Sequence, residues 1–286
     1  MRCVLKSLAE LVGRYDALLC DVWGVVHDGR AALAGPCSAL ERWRETGAPV
    51  VLISNSPRLS DDVATQMDGL GVPRRAWSAL VTSGDVTRSI LARLAPGPAF
   101  AIGPKRDRPL YDGLGLGFAP LETAAFISCT GLFDDERETP EDYRALLERA
   151  AARKLPMVCA NPDRIVQRGD RLVWCAGALA ELYEALGGSV EMAGKPHAPI
   201  YRACLERAAA LAGARLAAAR ALAIGDGIAT DMAGAADQGL DALFIARGIH
   251  AAETLTPEGE VDIASAEALL ARAGISARFV MAELAW

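Results

Sequence analysis

The 286-residue chain contains no C-x-x-C pair, although it carries seven cysteines (Cys3, Cys20, Cys37, Cys129, Cys159, Cys175 and Cys204). Scattered cysteines, odd in number, argue against a zinc site or a disulfide framework. They fit buried thiols in a reducing, cytoplasmic compartment. No apolar stretch reaches the ~20 residues of a membrane span; the longest are broken by Asp21, or by Arg215 and Arg220. The opening residues Met1-Arg2-Cys3-Val4-Leu5-Lys6 lack the long apolar centre of a secretory leader. There is no basic stripe with interleaved aromatics, and the formal net charge is −6, which argues against a nucleic acid polymer as partner. Low-complexity tracts and repeats are also missing. Two glycine motifs are incomplete. Gly113, Gly115 and Gly117 stop short of a dinucleotide fingerprint, because Phe118 stands where the last glycine belongs. Gly194-Lys195 is not a phosphate-binding P-loop, because Ser189 and Pro196 occupy the places of its first glycine and its Ser/Thr.

What is present is a core-forming composition, 52% apolar, and a length that fits one large or two modest domains. Short apolar runs alternate with helical patterns. Leu5, Leu8, Leu11 and Val12 read as one face of a helix over 1–16. Strands are expected at 17–21, 49–53, 99–103, 125–129, 156–160, 189–192, 220–224 and 242–246. Helices are expected at 38–45, from Ser60 to Leu70, around Val86 to Leu94, over 109–116, from Thr139-Pro140, over 177–186, from Pro199 onward, and up to Gly239. Strands that are apolar throughout, separated by helices, predict a doubly wound parallel α/β sheet covered on both faces. Ala95-Pro96-Gly97-Pro98 and Gly187-Gly188 are chain breaks. They divide the chain into a core formed by 1–97 and 189–286 and an inserted α/β cap, 98–188.

Four polar clusters stand just past apolar runs: Asp21, Ser54-Asn55, Lys195, and Asp226 with Asp231. Open parallel sheets place ligands at the carboxyl ends of their strands. An Asp in that position is a nucleophile, a metal ligand or a cap of the next turn. Several carboxylates in one crevice repel each other unless a cation lies among them. All-oxygen ligands suit Mg²⁺, completed by water and a substrate phosphate. A lysine with hydroxyl and amide donors suits phosphate oxygens. An Asp nucleophile can form an acyl phosphate that water then hydrolyses.

Nearly the whole chain resembles the haloacid dehalogenase-like (HAD) hydrolase superfamily, in particular class IIA, the NagD-type sugar or nucleotide phosphatases. The likeness rests on Asp21-Val22-Trp23-Gly24-Val25, Ile53-Ser54-Asn55-Ser56-Pro57-Arg58, Gly194-Lys195-Pro196 and Gly225-Asp226-Gly227-Ile228-Ala229-Thr230-Asp231. Asn161-Pro162-Asp163 is similar to the class IIA cap. The resemblance implies a phosphatase acting on a small phosphorylated metabolite. Asp21 would be nucleophile and Mg²⁺ ligand, the Trp23 backbone carbonyl a second ligand and Asp226 a third. Asp231 would orient the metal's waters. Ser54 and Asn55 would hold the transferring phosphoryl group, and Lys195 would offset its charge. Homodimerisation through the cap is also implied.

Trp23 departs from the pattern. Phosphatases of this family carry Asp there as general acid/base, a function typically worth about 10²–10⁴-fold. The loss leaves three readings open: a phosphatase that needs a good leaving group or a substitute acid, a HAD hydrolase of another bond such as C–P, or a non-catalytic phosphometabolite-binding protein. His27, six residues past Asp21 in a flap-like turn, is the one candidate substitute weighed, against its plainer reading as a turn histidine. Asp28 and Asp85 read as turn and helix-cap residues, and Arg164, Arg168 and Arg171 as a solvated face.

Overall fold

The computed structural model describes residues 3–168 and 171–286. Among the described residues thirteen strands occur in chain order: β1 (Cys3–Val4), β2 (Ala17–Asp21), β3 (Val50–Ser54), β4 (Ala79–Thr82), β5 (Ala99–Ile102), β6 (Phe126–Cys129), β7 (Pro156–Cys159), β8 (Ile165–Arg168), β9 (Arg171–Trp174), β10 (Ser189–Met192), β11 (Ala221–Gly225), β12 (Asp241–Ile245) and β13 (Phe279–Met281). Two compact units form. One comprises residues 1–54, 64–81 and 201–286; the other comprises 55–63 and 82–200.

The first unit holds a seven-stranded sheet in the order β1-β13-β12-β11-β2-β3-β4. The pairs β1·β13, β13·β12, β12·β11, β11·β2 and β2·β3 are parallel. Every residue of β2 and of β11 is buried. That is why these strands read as unbroken apolar runs: a parallel strand covered on both faces has no solvent side on which to alternate. Helix Ala34–Glu45 turns Leu40 and Trp43 inward, and both are essentially inaccessible.

The second unit is built on a four-stranded parallel sheet, β10-β7-β6-β5, and the antiparallel pair β8-β9. Ile127, Leu147, Met157, Leu179 and Tyr183 lie at its centre. The helix start at Thr139-Pro140 forms as expected, with Thr139 and Asp142 in a reciprocal capping box.

Several expectations need correction. Residues 3–11 form β1 and a short 3₁₀ turn, Leu8–Leu11, rather than a long helix. Leu8 and Leu11 are buried three residues apart, a spacing that a 3₁₀ turn satisfies as well as an α-helix, and a Ser7–Glu10 capping box starts the turn late. The helix expected over 109–116 is a 3₁₀ segment, Lys105–Tyr111. Strands β4, β8, β9 and β13 were not anticipated. Strand β10 pairs with β7. Gly188 explains this locally: it packs on the Tyr183 ring so closely that a side chain has no room. The chain thus turns back onto its own sheet.

Candidate active site

Asp21 closes β2, where the apolar run meets the sheet edge. The register sets Asp21 opposite Ile53 and Cys20 opposite Ile224. Asp21, Ser54 and Asp226 therefore emerge from three adjacent strands at one edge, as open α/β sheets arrange their ligand groups. Asp21, Asp226 and Asp231 are each buried and bring one carboxylate oxygen apiece within 4.8 Å of one another.

Backbone geometry sets each acid. Asp226 is pinched between two glycines. A Cβ on Gly24 or on Gly248 would overlap Asp226 Oδ2, and Gly24 has φ +83°, a region that disfavours side chains. The Ile249 N–H donates to the same oxygen at 2.8 Å. Asp231 sits on a widened helical turn in which the Met232 N–H reaches back to the Gly227 carbonyl at 3.0 Å. The Gly227 N–H donates to Asp231 Oδ2 at 3.1 Å. The Tyr201 hydroxyl, 3.3 Å from the Asp231 carbonyl, braces the turn. Three carboxylates this close and this buried repel one another strongly unless a cation lies among them. The donor set is oxygen only, which fits a hard divalent ion such as Mg²⁺ and does not fit a thiolate-seeking metal.

Trp23 stands two residues past Asp21 with its side chain 46% exposed. Its indole meets the His27 ring edge-on, centroids 5.2 Å apart. His27 is buried, and its Nδ1 accepts the Gly29 N–H at 3.1 Å. Burial pushes the His27 pKa below its usual 6.5. Asp28 and Asp85 take the plain roles expected of them. Asp28 Oδ1 accepts the Arg30 and Ala31 N–H groups in the turn, and Asp85 caps helix Ser83–Leu94 reciprocally with Thr82. Arg164 is exposed and pairs with Glu181 at 2.6 Å. The side chains of Arg168 and Arg171 lie outside the described residues.

Lys195 differs from the other clusters in its origin. It follows β10 and so belongs to the four-stranded sheet of the second unit. There it is buried and closely tied to Asn55: the Lys195 N–H donates to Asn55 Oδ1 at 2.7 Å, and Asn55 Nδ2 donates back to the Lys195 carbonyl at 3.1 Å. Asn55 Nδ2 also donates to Asp163 Oδ1 at 2.9 Å, so the Asn161-Pro162-Asp163 segment belongs to the same network. A Cβ on Gly194 would stand 2.5 Å from Asn55 Oδ1, 2.7 Å from Pro162 and 2.9 Å from Ser83 Oγ. Glycine is thus required before Lys195 by contact. Ser83 was passed over in the sequence; its hydroxyl is fully buried and finds no hydrogen-bond partner among the described residues. The only signal for it was its place at the start of a helix.

A parallel α/β sheet whose central strands end in this acid cluster is the scaffold of a hydrolase core. The chain belongs to the haloacid dehalogenase-like hydrolase family. Residues 18–117 match the family model described as haloacid dehalogenase-like hydrolase, and residues 192–269 match a second, described as HAD-hydrolase-like. A crystal structure of a haloacid dehalogenase-like hydrolase from Brucella suis 1330 is 47% identical, with 98% of this chain and 100% of that one covered and a TM-score of 0.85. D-glycerol 3-phosphate phosphatase of Mycobacterium tuberculosis is 27% identical over 87% of this chain and 67% of its own length. The structure of NagD from E. coli K-12 shares the fold, with a TM-score of 0.67 at 21% identity, covering 93% of this chain and 96% of that one. The chain is thus an enzyme of this hydrolase family.

Proposed function

We propose that the chain is a Mg²⁺-dependent hydrolase of a small phosphate monoester. The observation that carries this reading is the buried triad Asp21, Asp226 and Asp231, with one oxygen of each within 4.8 Å of the others. Asp21, Asp226, Asp231 and the Trp23 backbone carbonyl would hold the ion, which supplies charge neutralisation for the phosphoryl oxygens. An Asp21 oxygen attacks phosphorus, the bond from phosphorus to the ester oxygen breaks, and an acyl phosphate on Asp21 results. Water then cleaves that acyl phosphate, releasing phosphate and restoring the carboxylate. Ser54 and Asn55 position the phosphoryl group, and Lys195 offsets its negative charge. Residues 98–188 act as the cap. The relative named as a phosphatase of D-glycerol 3-phosphate supports a small phosphorylated metabolite as substrate.

With Trp23 in the acid position, the departing oxygen receives no proton from that side chain. His27 is a poor substitute: burial favours its neutral form, and its Nδ1 is already an acceptor. Rates therefore depend steeply on the leaving-group pKa, and aryl phosphates outrun alkyl phosphates. Seven free cysteines, six of them buried, support a reducing, cytoplasmic setting. Among the described residues no helix is long and apolar enough to cross a membrane. Exposed Ile165, Leu172 and Trp174 on the β8-β9 hairpin support a homodimer, which light scattering reads directly. The deciding experiment is hydrolysis of p-nitrophenyl phosphate with and without Mg²⁺, followed by a series of esters of graded leaving-group pKa. Turnover that requires Mg²⁺ and falls steeply along the series is expected. Mg²⁺-bound, folded protein with no turnover of any ester would favour the phosphometabolite-binding reading.

A further inference from the structure

A cleft of about 270 Å³ opens beside Asp226, entirely within the first unit. The Trp23 indole lines it, as does the segment 247–249, with apolar groups from Val25 and Leu284 completing the lining. Trp23 and Ile249 are 46% and 69% exposed, unusual for side chains this apolar standing beside a buried acid cluster.

Neither group is exposed for lack of tethering. The indole lies against Gly29, so close that a Cβ there would stand 2.5 Å from the ring, and Gly29 has φ +84°. The His27 ring braces the indole edge-on. Across the cleft, Ile249 is fixed by its N–H bond to Asp226 Oδ2 at 2.8 Å. The Arg247 N–H donates to the Ala282 carbonyl at 2.8 Å, and the Arg247 guanidinium pairs with Glu283 at 3.2 Å. The indole and the backbone of 247–249 are therefore set in place before any ligand arrives, which lowers the ordering cost of binding.

Charge and size narrow the occupant. Of the carboxylates in the lining, Asp226 faces the proposed Mg²⁺ and Glu283 pairs with Arg247 at 3.2 Å, which leaves Asp28 with no cation beside it in the lining. A second anionic group on a ligand is repelled there. The volume lies at the small end of the roughly 300–1,000 Å³ of ligand pockets, enough for about one ring. An exposed, pinned indole favours a flat apolar partner.

We infer that this cleft receives the leaving group of the phosphate ester, and that the group is an uncharged, planar, apolar one of about single-ring size stacked on Trp23 and flanked by Ile249. The inference rests on the phosphatase reading of Asp21, Asp226 and Asp231. It gives Trp23 a positive role in specificity at the position where an acid would otherwise stand.

Calorimetry on the full chain in Mg²⁺ tests it, with orthophosphate, methylphosphonate, 2-carboxyethylphosphonate and phenylphosphonate as probes. Phenylphosphonate should bind about tenfold more tightly than methylphosphonate, and the carboxyethyl compound no more tightly than methyl. Ile249→Ser, a change at an exposed side chain, should remove most of the phenyl preference while methylphosphonate affinity holds within about twofold. Trp23→Ala should collapse the phenyl-to-methyl ratio, and Trp23→Phe should retain part of it. Equal binding of phenyl- and methylphosphonate alongside bound orthophosphate overturns the cleft assignment and leaves the phosphatase reading standing. So does a full phenyl preference in Ile249→Ser, or tightest binding of the carboxyethyl probe. If folded protein binds none of the four probes, the phosphatase reading fails and takes the cleft with it.

Discussion

Beyond β2 and β11, buried carboxylates are gathered: Asp21, Asp226 and Asp231 bring their oxygens within 4.8 Å. Beyond β7 and β10, in the other unit, buried polar groups close on one another instead. Asn55 bridges Asp163 and the Lys195 backbone, and Asn161 Oδ1 accepts the Asp163 N–H at 3.0 Å. The second unit's own buried carboxylate, Asp107, bonds Thr130, with Arg106 and Arg58 offsetting its charge and Asp135 adding to it. Both sheets are parallel, and both end in polar turns. The difference is in what completes them. Hydrogen bonds of this kind rigidify their surroundings, and here they hold Asn55 and the Lys195 backbone in place. Like charges gathered this closely favour a cation among them.

Four substitutions would break or sharpen that contrast. The largest effect is expected for Asp21→Asn, which keeps the shape of the side chain but removes the attacking oxygen's charge. Hydrolysis of p-nitrophenyl phosphate should fall on the order of 10⁴-fold or more, with a metal-free thermal melt by circular dichroism no lower than the parent's. Undiminished turnover would remove Asp21 from the nucleophile role. Asp226→Ala should weaken Mg²⁺ binding by more than the roughly 10–100-fold that a supporting group is worth, read by calorimetry; unchanged Mg²⁺ affinity would count against a ligand role.

Gly194→Ala probes the hydrogen-bond network around Asn55. The added methyl would press on Asn55 Oδ1 and Ser83 Oγ, so a loss of about 1–3 kcal/mol in denaturant stability is expected. An unchanged denaturation midpoint would mean that the contact relaxes without cost. The smallest effect concerns Asp107. Burial raises its pKa above 3.8. The folded state then holds its proton to higher pH than the unfolded chain does. Its stabilising contribution is complete below pH 3.8 and is lost as pH rises through the folded value. Asp107→Asn should therefore raise the melting temperature relative to the parent at pH 7 more than at pH 4. An equal shift at both pH values would place the titration elsewhere.

Much of the site was legible because its residues end apolar runs. An unbroken run such as 17–20 can be buried on both faces only as a strand or as a helix core, and a carboxylate directly after it has few bland explanations. The same logic located Ser54 and Asp226, whereas Lys195 follows the mixed, half-exposed Ser189–Met192 and is marked by the Gly194 and Pro196 beside it. That logic could not tell which sheet a strand joins. Ser189–Met192 reads as a strand from its residues, but its pairing with β7 depends on Gly188 fitting against Tyr183, a contact between residues five apart across a turn. The hairpin β8-β9 was missed because its residues mix charge with apolar groups over only four positions a side.

The sequence by itself determined which residue types stand at strand ends, that Trp stands two positions past Asp21, and that the central strands are apolar enough to be covered twice. Those properties are local, carried by residue identity and spacing along a few positions. Only the tertiary structure decided that three carboxylates share a 4.8 Å space, that Lys195 rests on Asn55 in the four-stranded unit, and that the exposed indole of Trp23 lines a cleft with Ile249. Each of these depends on register and packing between distant segments, and Trp23 and Ile249, which line one cleft, are 226 residues apart. Packing sets such distances, and no periodicity along the chain encodes them.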